Sequence, residues 1–289
     1  MERIFLNNPT STLLYRAKCW ITAALWLICC LSVPAKAHFQ LLYTPELALK
    51  SGAATHLSMV FTHPFTTTPT MDMGKPQAFY VVSQRGEAKP KSTDLSSYLK
   101  PVEWHGTSNS AQAYTASLPR SVVRSLGDYV FVMEPSPFYE EPEDKYIQQI
   151  TKMIMNVGGV PGNWATPLGL KAEILPLGKP YANWTGGVFR GVVLAQGKPV
   201  PNAEIEVEYI NHPPLQGGNE FRKEAEVVAP QASYQIATIY ADDRGQFSIG
   251  LPRAGFWGVC ALNIGPDKQY QGKELSQDAV LWLQVKDMK

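Results

Sequence analysis

Residues 203–209, Ala-Glu-Ile-Glu-Val-Glu-Tyr, alternate apolar and charged side chains without interruption. Successive side chains of a strand point to opposite faces, so a period of two specifies a β-strand with one apolar and one wet face. On that reading Glu204, Glu206 and Glu208 are a solvated face rather than a cation site. A turn precedes the strand at Gly197-Lys198-Pro199-Val200-Pro201-Asn202, and another follows at Asp242-Asp243-Arg244-Gly245. Further strand-like runs occupy residues 188–194, 235–240, 246–251, 256–264 and 279–285. The N-terminal half carries weaker signals at 39–43, 56–61, 78–82, 113–118 and 128–133. Short runs separated by turn residues, in a chain with 23 prolines and 22 glycines, predict a mainly β fold of antiparallel sandwiches.

One segment reads differently. Pro142 suits the first turn of a helix, and Glu143 and Asp144 suit its N-terminus. Ile147, Ile150, Thr151 and Ile154 follow at helical spacing, and Asn156 with Gly158-Gly159 ends the run. The expectation is therefore one short helix between two β-sandwich modules. The connector Trp164 to Trp184 places their boundary near 184, giving modules 38–184 and 185–289.

The first 37 residues have the order of an export signal. Arg3, Arg16 and Lys18 precede an apolar run from Cys19 to Val33, and Ala35-Lys36-Ala37 supplies small residues for cleavage before His38. The apolar run is shorter than the roughly 20 residues a membrane span needs, and no later run is longer. Neither Cys29 nor Cys30 follows the small residue expected at a lipoprotein site. The processed chain is thus expected to be soluble, outside the cytoplasm and not inserted in a membrane.

Processing changes the charge and the cysteine chemistry. Residues 1–37 hold four basic residues and one acidic, so totals of 26 and 25 become 22 and 24, a formal net charge of −2. That balance excludes the electrostatic footprint of a nucleic-acid or anionic-lipid binder over the whole chain. Only Cys260 remains of the four cysteines, so no internal disulfide can form. It lies in an apolar run and reads as a small buried hydrophobe. No glycine-rich phosphate loop, His-Glu-x-x-His pair or nucleophile elbow occurs, and a non-enzymatic role is expected.

Histidine chemistry is the positive signal. Cleavage before His38 would create a residue whose α-amine and imidazole can chelate one ion together, which no internal histidine can do. His63, in Phe61-Thr62-His63-Pro64-Phe65, ends a strand at a proline and would sit at a sandwich rim. His56 lies an odd number of residues earlier and would face the other way. His105 and His212 read as exposed loop residues, and Met71-Asp72-Met73 as packing. Among the acids of Phe138 to Asp144, Glu143 is the candidate third ligand beside His38 and His63. Imidazole, amine and carboxylate suit borderline divalent ions.

Two resemblances extend this reading. Gly197 to Ala203, with Ile205, Val207 and the Asp242–Phe247 turn, resembles prealbumin-like or carboxypeptidase-regulatory-like β-sandwich repeats, which are mostly structural or binding units. Over residues 38–285 the chain resembles exported proteins described as periplasmic components of cobalt/nickel uptake systems. The segments that carry the likeness include His38-Phe39-Gln40, Phe61-Thr62-His63-Pro64, Met71 to Pro76, Tyr139 to Ile147, Glu173 to Leu177 and Gly255-Phe256-Trp257-Gly258. The resemblance implies a periplasmic Ni²⁺ or Co²⁺ carrier working beside a membrane transporter. Rival readings are a copper protein of the histidine-brace type, as oxidase or carrier, and a metal-free binding or adhesion module.

Overall fold

The computed structural model describes residues 38–288, and the export-signal reading lies outside them. Sixteen strands carry the architecture. In the first half they are β1 (Phe39–Tyr43), β2 (Thr55–Thr62), β3 (Ala78–Gln84), β4 (Lys91–Asp94), β5 (Leu99–His105), β6 (Ser110–Leu118), β7 (Gly127–Glu134) and β8 (Phe138–Glu140). Then come β9 (Lys145–Val157), β10 (Glu173–Pro176), β11 (Gly187–Ala195), β12 (Glu204–Tyr209), β13 (Ile236–Tyr240), β14 (Gln246–Leu251), β15 (Gly255–Ala261) and β16 (Lys273–Lys286). The strand runs read from the sequence all fall on these elements.

A five-stranded sheet has the order β1-β2-β6-β5, with Thr70–Met71 added beside β2. A twelve-stranded sheet runs β13-β12-β15-β16-β9-β7-β3-β4, with short strands, β8 among them, added at its margins. A smaller sheet joins β10, β11 and β14. The protein is mainly β with sandwich-like sheets, and its only helical elements among the described residues are three short 3-10 turns.

The expected helix is a strand. Residues 141–143 make a single 3-10 turn, after which β9 runs for 13 residues through the middle of the large sheet. It pairs in parallel with β16 from Lys145↔Glu274 to Met153↔Trp282, and antiparallel with β7 from Ile154↔Val130 to Val157↔Gly127. Every residue from Ile147 to Val157 is buried, so both faces need filling and the strand loses the alternation of a one-sided strand. Ile147, Ile150 and Ile154 then mimic a helical stripe. The polar residues between them are not a wet face: Gln148 donates to the Pro135 carbonyl at 2.9 Å, Asn156 to Asp128 at 2.6 Å, and Lys152 to Glu173 at 2.7 Å. β-branched Ile and Thr favour the strand once such partners exist.

The modules expected on either side of residue 184 share this sheet, because β12, β15 and β16 continue into β9, β7, β3 and β4. Trp184 itself lies beside β16, paired with Lys286. One core cluster accordingly contains Phe39 and Trp104 together with Val259 and Trp282.

The face of β12 read as wet is covered. Glu204 is exposed, but Glu206 is 8% exposed and Glu208 only 1%. The loop after β2 closes over this face: the Phe65 N–H donates to Glu208 Oε1 at 2.7 Å, and the Asn211 N–H donates to the Pro64 carbonyl at 3.2 Å. Burial pushes the Glu208 carboxyl well above its ordinary value, with Glu206 adding to the rise and the Phe65 N–H opposing it. Burial, then Glu204 and Asp278, push Glu206 up to about 7 against an opposing Lys145.

Because the folded value of Glu206 exceeds the unfolded one, its stabilising contribution is complete below about pH 4.5 and is lost as pH climbs through about 7. Denaturant unfolding of Glu206→Gln should therefore gain on the parent chain between pH 5 and pH 8, by about 3 kcal/mol at most. Parallel pH profiles for the two proteins would remove Glu206 as the cause.

Candidate metal centre

The β1–β2 ladder pairs Phe39 with Thr62, and one further step in the same register sets His38 opposite His63. Their ring centroids lie 4.5 Å apart with planes tilted by 41°. Phe61 backs His38 at 5.6 Å, and Phe138 of β8 meets Phe61 edge-on at 5.3 Å. The same short strand ends at Glu140, whose Oε2 is 3.3 Å from His38 Nε2. Two imidazoles and one carboxylate thus gather where β1, β2 and β8 end together.

His63 is 4% exposed. Pro64 stops the strand, as the sequence indicated, but the chain then folds back on β12 instead of entering solvent. The Thr67 N–H donates to the His63 carbonyl at 2.6 Å. Burial, then Glu143, hold the Glu140 carboxyl above the usual carboxylate range, and Lys145 opposes them.

Glu143, the acid chosen from the sequence, does not join this group. It lies in the 3-10 turn, about half exposed, and forms an ion pair with Lys145. Glu140 takes the place beside His38 because Glu140↔Lys145 pairing carries it back along β9. His56 is also elsewhere, with Nδ1 3.1 Å from Ser117 Oγ. His105 Nδ1 is 2.9 Å from Ser110 Oγ, and His212 Nδ1 is 3.0 Å from the Arg222 carbonyl. Met71 and Met73 are buried in the core. Cys260 is buried too, and its thiol is pushed well above its ordinary value by burial first and by Asp278 and Glu206 next, which keeps it protonated.

Gln149 is the residue that sequence reasoning missed. Its Oε1 accepts the Gln40 N–H at 2.7 Å, and its Nε2 donates to the His38 carbonyl at 2.7 Å. One carboxamide therefore holds the backbone on both sides of Phe39, standing in for a ladder that β1 does not make with β9. Its own orientation is set by Asp278 Oδ2 at 3.2 Å and Cys260 Sγ at 3.4 Å. Asp278 is fixed in turn by the Ser276 hydroxyl at 2.6 Å and the Asn263 N–H at 2.8 Å. Trp282 Nε1 adds a bond to the Gln40 carbonyl at 3.0 Å.

Gly258 lets this clamp close. A Cβ there would stand 2.7 Å from Trp282 Cη2 and 2.8 Å from Phe39 Cδ1, which gives the Gly255-Phe256-Trp257-Gly258 run a physical role. Gln149→Leu removes the acceptor of the buried Gln40 N–H, at a cost of about 1–3 kcal/mol at most, and the Gln149 donor to the His38 carbonyl. Loss of an orienting group of this kind lowers metal affinity by roughly 10–100-fold. Gln149→Glu keeps the acceptor, removes the donor and faces Asp278, so it should not restore binding. Calorimetry with Ni²⁺ on both variants, at temperatures where each remains folded, separates positioning from global stability.

Among the described residues, no three His, Cys, Asp or Glu side chains already converge to hold one ion. With Ala37 attached, the His38 nitrogen is an amide and not a donor for a metal ion. No helix among the described residues is long and apolar enough to cross a membrane.

These sheets and their rim cluster define a β-sandwich protein with a histidine pair at the margin of its core. Residues 35–265 match the family model described as "Domain of unknown function (DUF4198)", and the chain belongs to that family. No curated protein matches it. Among solved structures, it is similar to the Yersinia pseudotuberculosis adhesin InvE at 13% identity and a TM-score of 0.23, covering 84% of this chain and 58% of that one. The D0-D1 domain of Intimin follows at 12% identity and a TM-score of 0.21, with 86% and 99% covered. A two-domain fibronectin type III segment of chicken tenascin has 8% identity and a TM-score of 0.19, with 85% and 99% covered.

Proposed function

We propose that this protein binds Ni²⁺ or Co²⁺ in the periplasm and passes the ion to components of a membrane transporter, without catalysing a reaction itself. The observation that supports the reading most is the His38–His63 pair, with ring centroids 4.5 Å apart and Glu140 within 3.3 Å of His38. Imidazole suits Ni²⁺, Cu²⁺ and Zn²⁺, and carboxylate suits harder ions. Processing before His38 would add the α-amine, giving three nitrogen donors and one carboxylate.

The ion is cargo, and the residues suit capture and release. His38 and Glu140 stand at the rim, so an ion would be reached from outside, whereas His63 is held from below by the folded-back loop. The neighbouring Phe61 and Phe138 rings exclude water from one side of the pair. Deprotonation of an amine near its ordinary value of about 7.7–8.0 would accompany loading.

Copper is the second reading, favoured by the nitrogen-rich donor set, because affinity order alone puts Cu²⁺ above Ni²⁺ and Co²⁺. Calorimetry of processed protein with each ion is the test. One ion per chain is expected, with affinity lowered at least about tenfold in His63→Ala. An absence of binding by all three ions would end the metal proposal and leave a binding or adhesion module. A Cu²⁺ complex that oxidises substrate with peroxide would move the assignment to the oxidase class.

A further inference from the structure

A cleft far from the histidine pair has a different chemistry. It lies between the β3–β4 hairpin and the loop that enters β7, with a volume of about 330 Å³. Arg85, Lys89, Lys91 and Arg124 line it together with Ser121 and Ser125, and no Asp or Glu does. Glu87, in the same hairpin turn, is not among its walls. None of the four cations forms an ion pair with a described residue. Cations without an acidic partner also occur elsewhere, Lys198 and Lys223 among them, so what sets the cleft apart is that four of them line one concavity from which acids are absent.

The cleft is a formed feature. The Ser125 N–H donates to the Tyr129 hydroxyl at 2.8 Å, and that hydroxyl donates back to the Ser125 carbonyl at 2.9 Å. Gly127 has φ of +128°, and a Cβ there would lie 2.2 Å from the Gln84 carbonyl oxygen. The loop is therefore seated tightly against the end of β3, and Arg124 and Ser125 are presented from a fixed backbone. At the opposite wall Ser83↔Lys91 pairing holds Lys91 on the ladder.

We propose that this cleft binds a phosphate-bearing anion. Four cationic residues lining one concavity, with no acid among them, focus the field there. The planar guanidinium forks of Arg85 and Arg124 match phosphate oxygens in pairs, while Lys89 and Lys91 act as point charges. Ser121 and Ser125 hydroxyls can donate to remaining oxygens. A carboxylate would use one fork and leave the other cations uncompensated, so a multiply charged phosphate is the better fit. The chemistry is shared by a free polyphosphate and a phospholipid headgroup, and the two sources are distinguishable by experiment. The inference stands independently of the metal reading.

The test uses metal-free protein, titrated calorimetrically with sodium pyrophosphate at about 50 mM and about 300 mM NaCl, and co-sedimented with vesicles of phosphatidylglycerol and phosphatidylcholine. Lys91→Gln/Arg124→Gln removes one cation from each wall. Lys198→Gln/Lys223→Gln makes the same change in net charge elsewhere. Pyrophosphate binding that weakens with salt, and that falls about tenfold or more in the first variant alone, is the expected result. Vesicle binding lost in the first variant alone, without pyrophosphate binding, would support the same site with the headgroup as its source. Equal losses in both variants, or no binding of either probe, would overturn the proposal. Ni²⁺ affinity should be unchanged in the cleft variant.

Discussion

Protein beginning at His38 is expected to bind Ni²⁺ about a hundredfold more tightly than the same chain with its α-amine acetylated, a difference of about 2.7 kcal/mol. The chelate depends on an amine and an imidazole of one residue, and acetylation removes the first without adding a donor. A single extra N-terminal glycine is the complementary variant. It moves the amine by one residue, so the ion would have to displace an amide proton or lose a donor. The clamp makes the loss hard to repair. Gln149 and Trp282 fix the backbone from His38 to Gln40, so the chain cannot slide to bring a displaced amine back to His63. Equal affinity in processed and acetylated protein would exclude the amine as a ligand. Sequencing the exported chain from its N-terminus checks the processing on which the argument rests.

Glu173→Gln should cost about 3–5 kcal/mol of folding stability, the usual penalty for stranding one partner of a buried ion pair. Lys152 is 2% exposed and Glu173 is fully buried, with Nζ 2.7 Å from Oε1. Burial holds the Lys152 ammonium below its ordinary value, while Glu173 opposes that fall by charge and hydrogen bond. The carboxylate also accepts the Leu168 N–H at 3.0 Å and the Gly169 N–H at 3.1 Å, so it joins β9 to the loop before β10. Glutamine keeps one acceptor but no charge, and the ammonium remains in the core. The double variant Lys152→Met/Glu173→Gln should recover much of the loss, because no orphaned charge remains and the glutamine oxygen still accepts from the loop N–H groups. Denaturant midpoints of the three proteins decide it; a Glu173→Gln loss below about 1 kcal/mol would contradict the account.

The histidine pair was legible because its two signals are local. A proline fixes the end of β2, and Ala35-Lys36-Ala37 reads as a processing site before β1, so both histidines read as strand-end residues. Their meeting was not legible, since it depends on the register Phe39↔Thr62. The same limit explains the acid: Glu140 and Glu143 look alike in sequence, and only the fold-back of β8 on β9 selects the former. Glu206 and Glu208 follow the pattern of a wet face, yet a loop from elsewhere covers them. Periodicity reports which faces differ, not what later packs on them. In β9 both faces are buried, so period two disappears and three isoleucines at spacings of three and four remain as the visible pattern. Gln149 gave no signal, because a carboxamide in an apolar run gains meaning only from its partners.

The clamp on the first described strand also imposes an order of assembly. Gln149 is 111 residues from His38, Trp282 is 242 from Gln40, and Gln284, which accepts the Leu47 N–H, is 237 away. Contacts of such separation form late, because each must first close a long loop. The first described strand is therefore seated among the last, after β16 has docked on β9. A strand held this way works as a completion mark: β1 pairs with β2 by a local register, but the backbone from His38 to Gln40 is locked only in a chain whose distant sheet is finished.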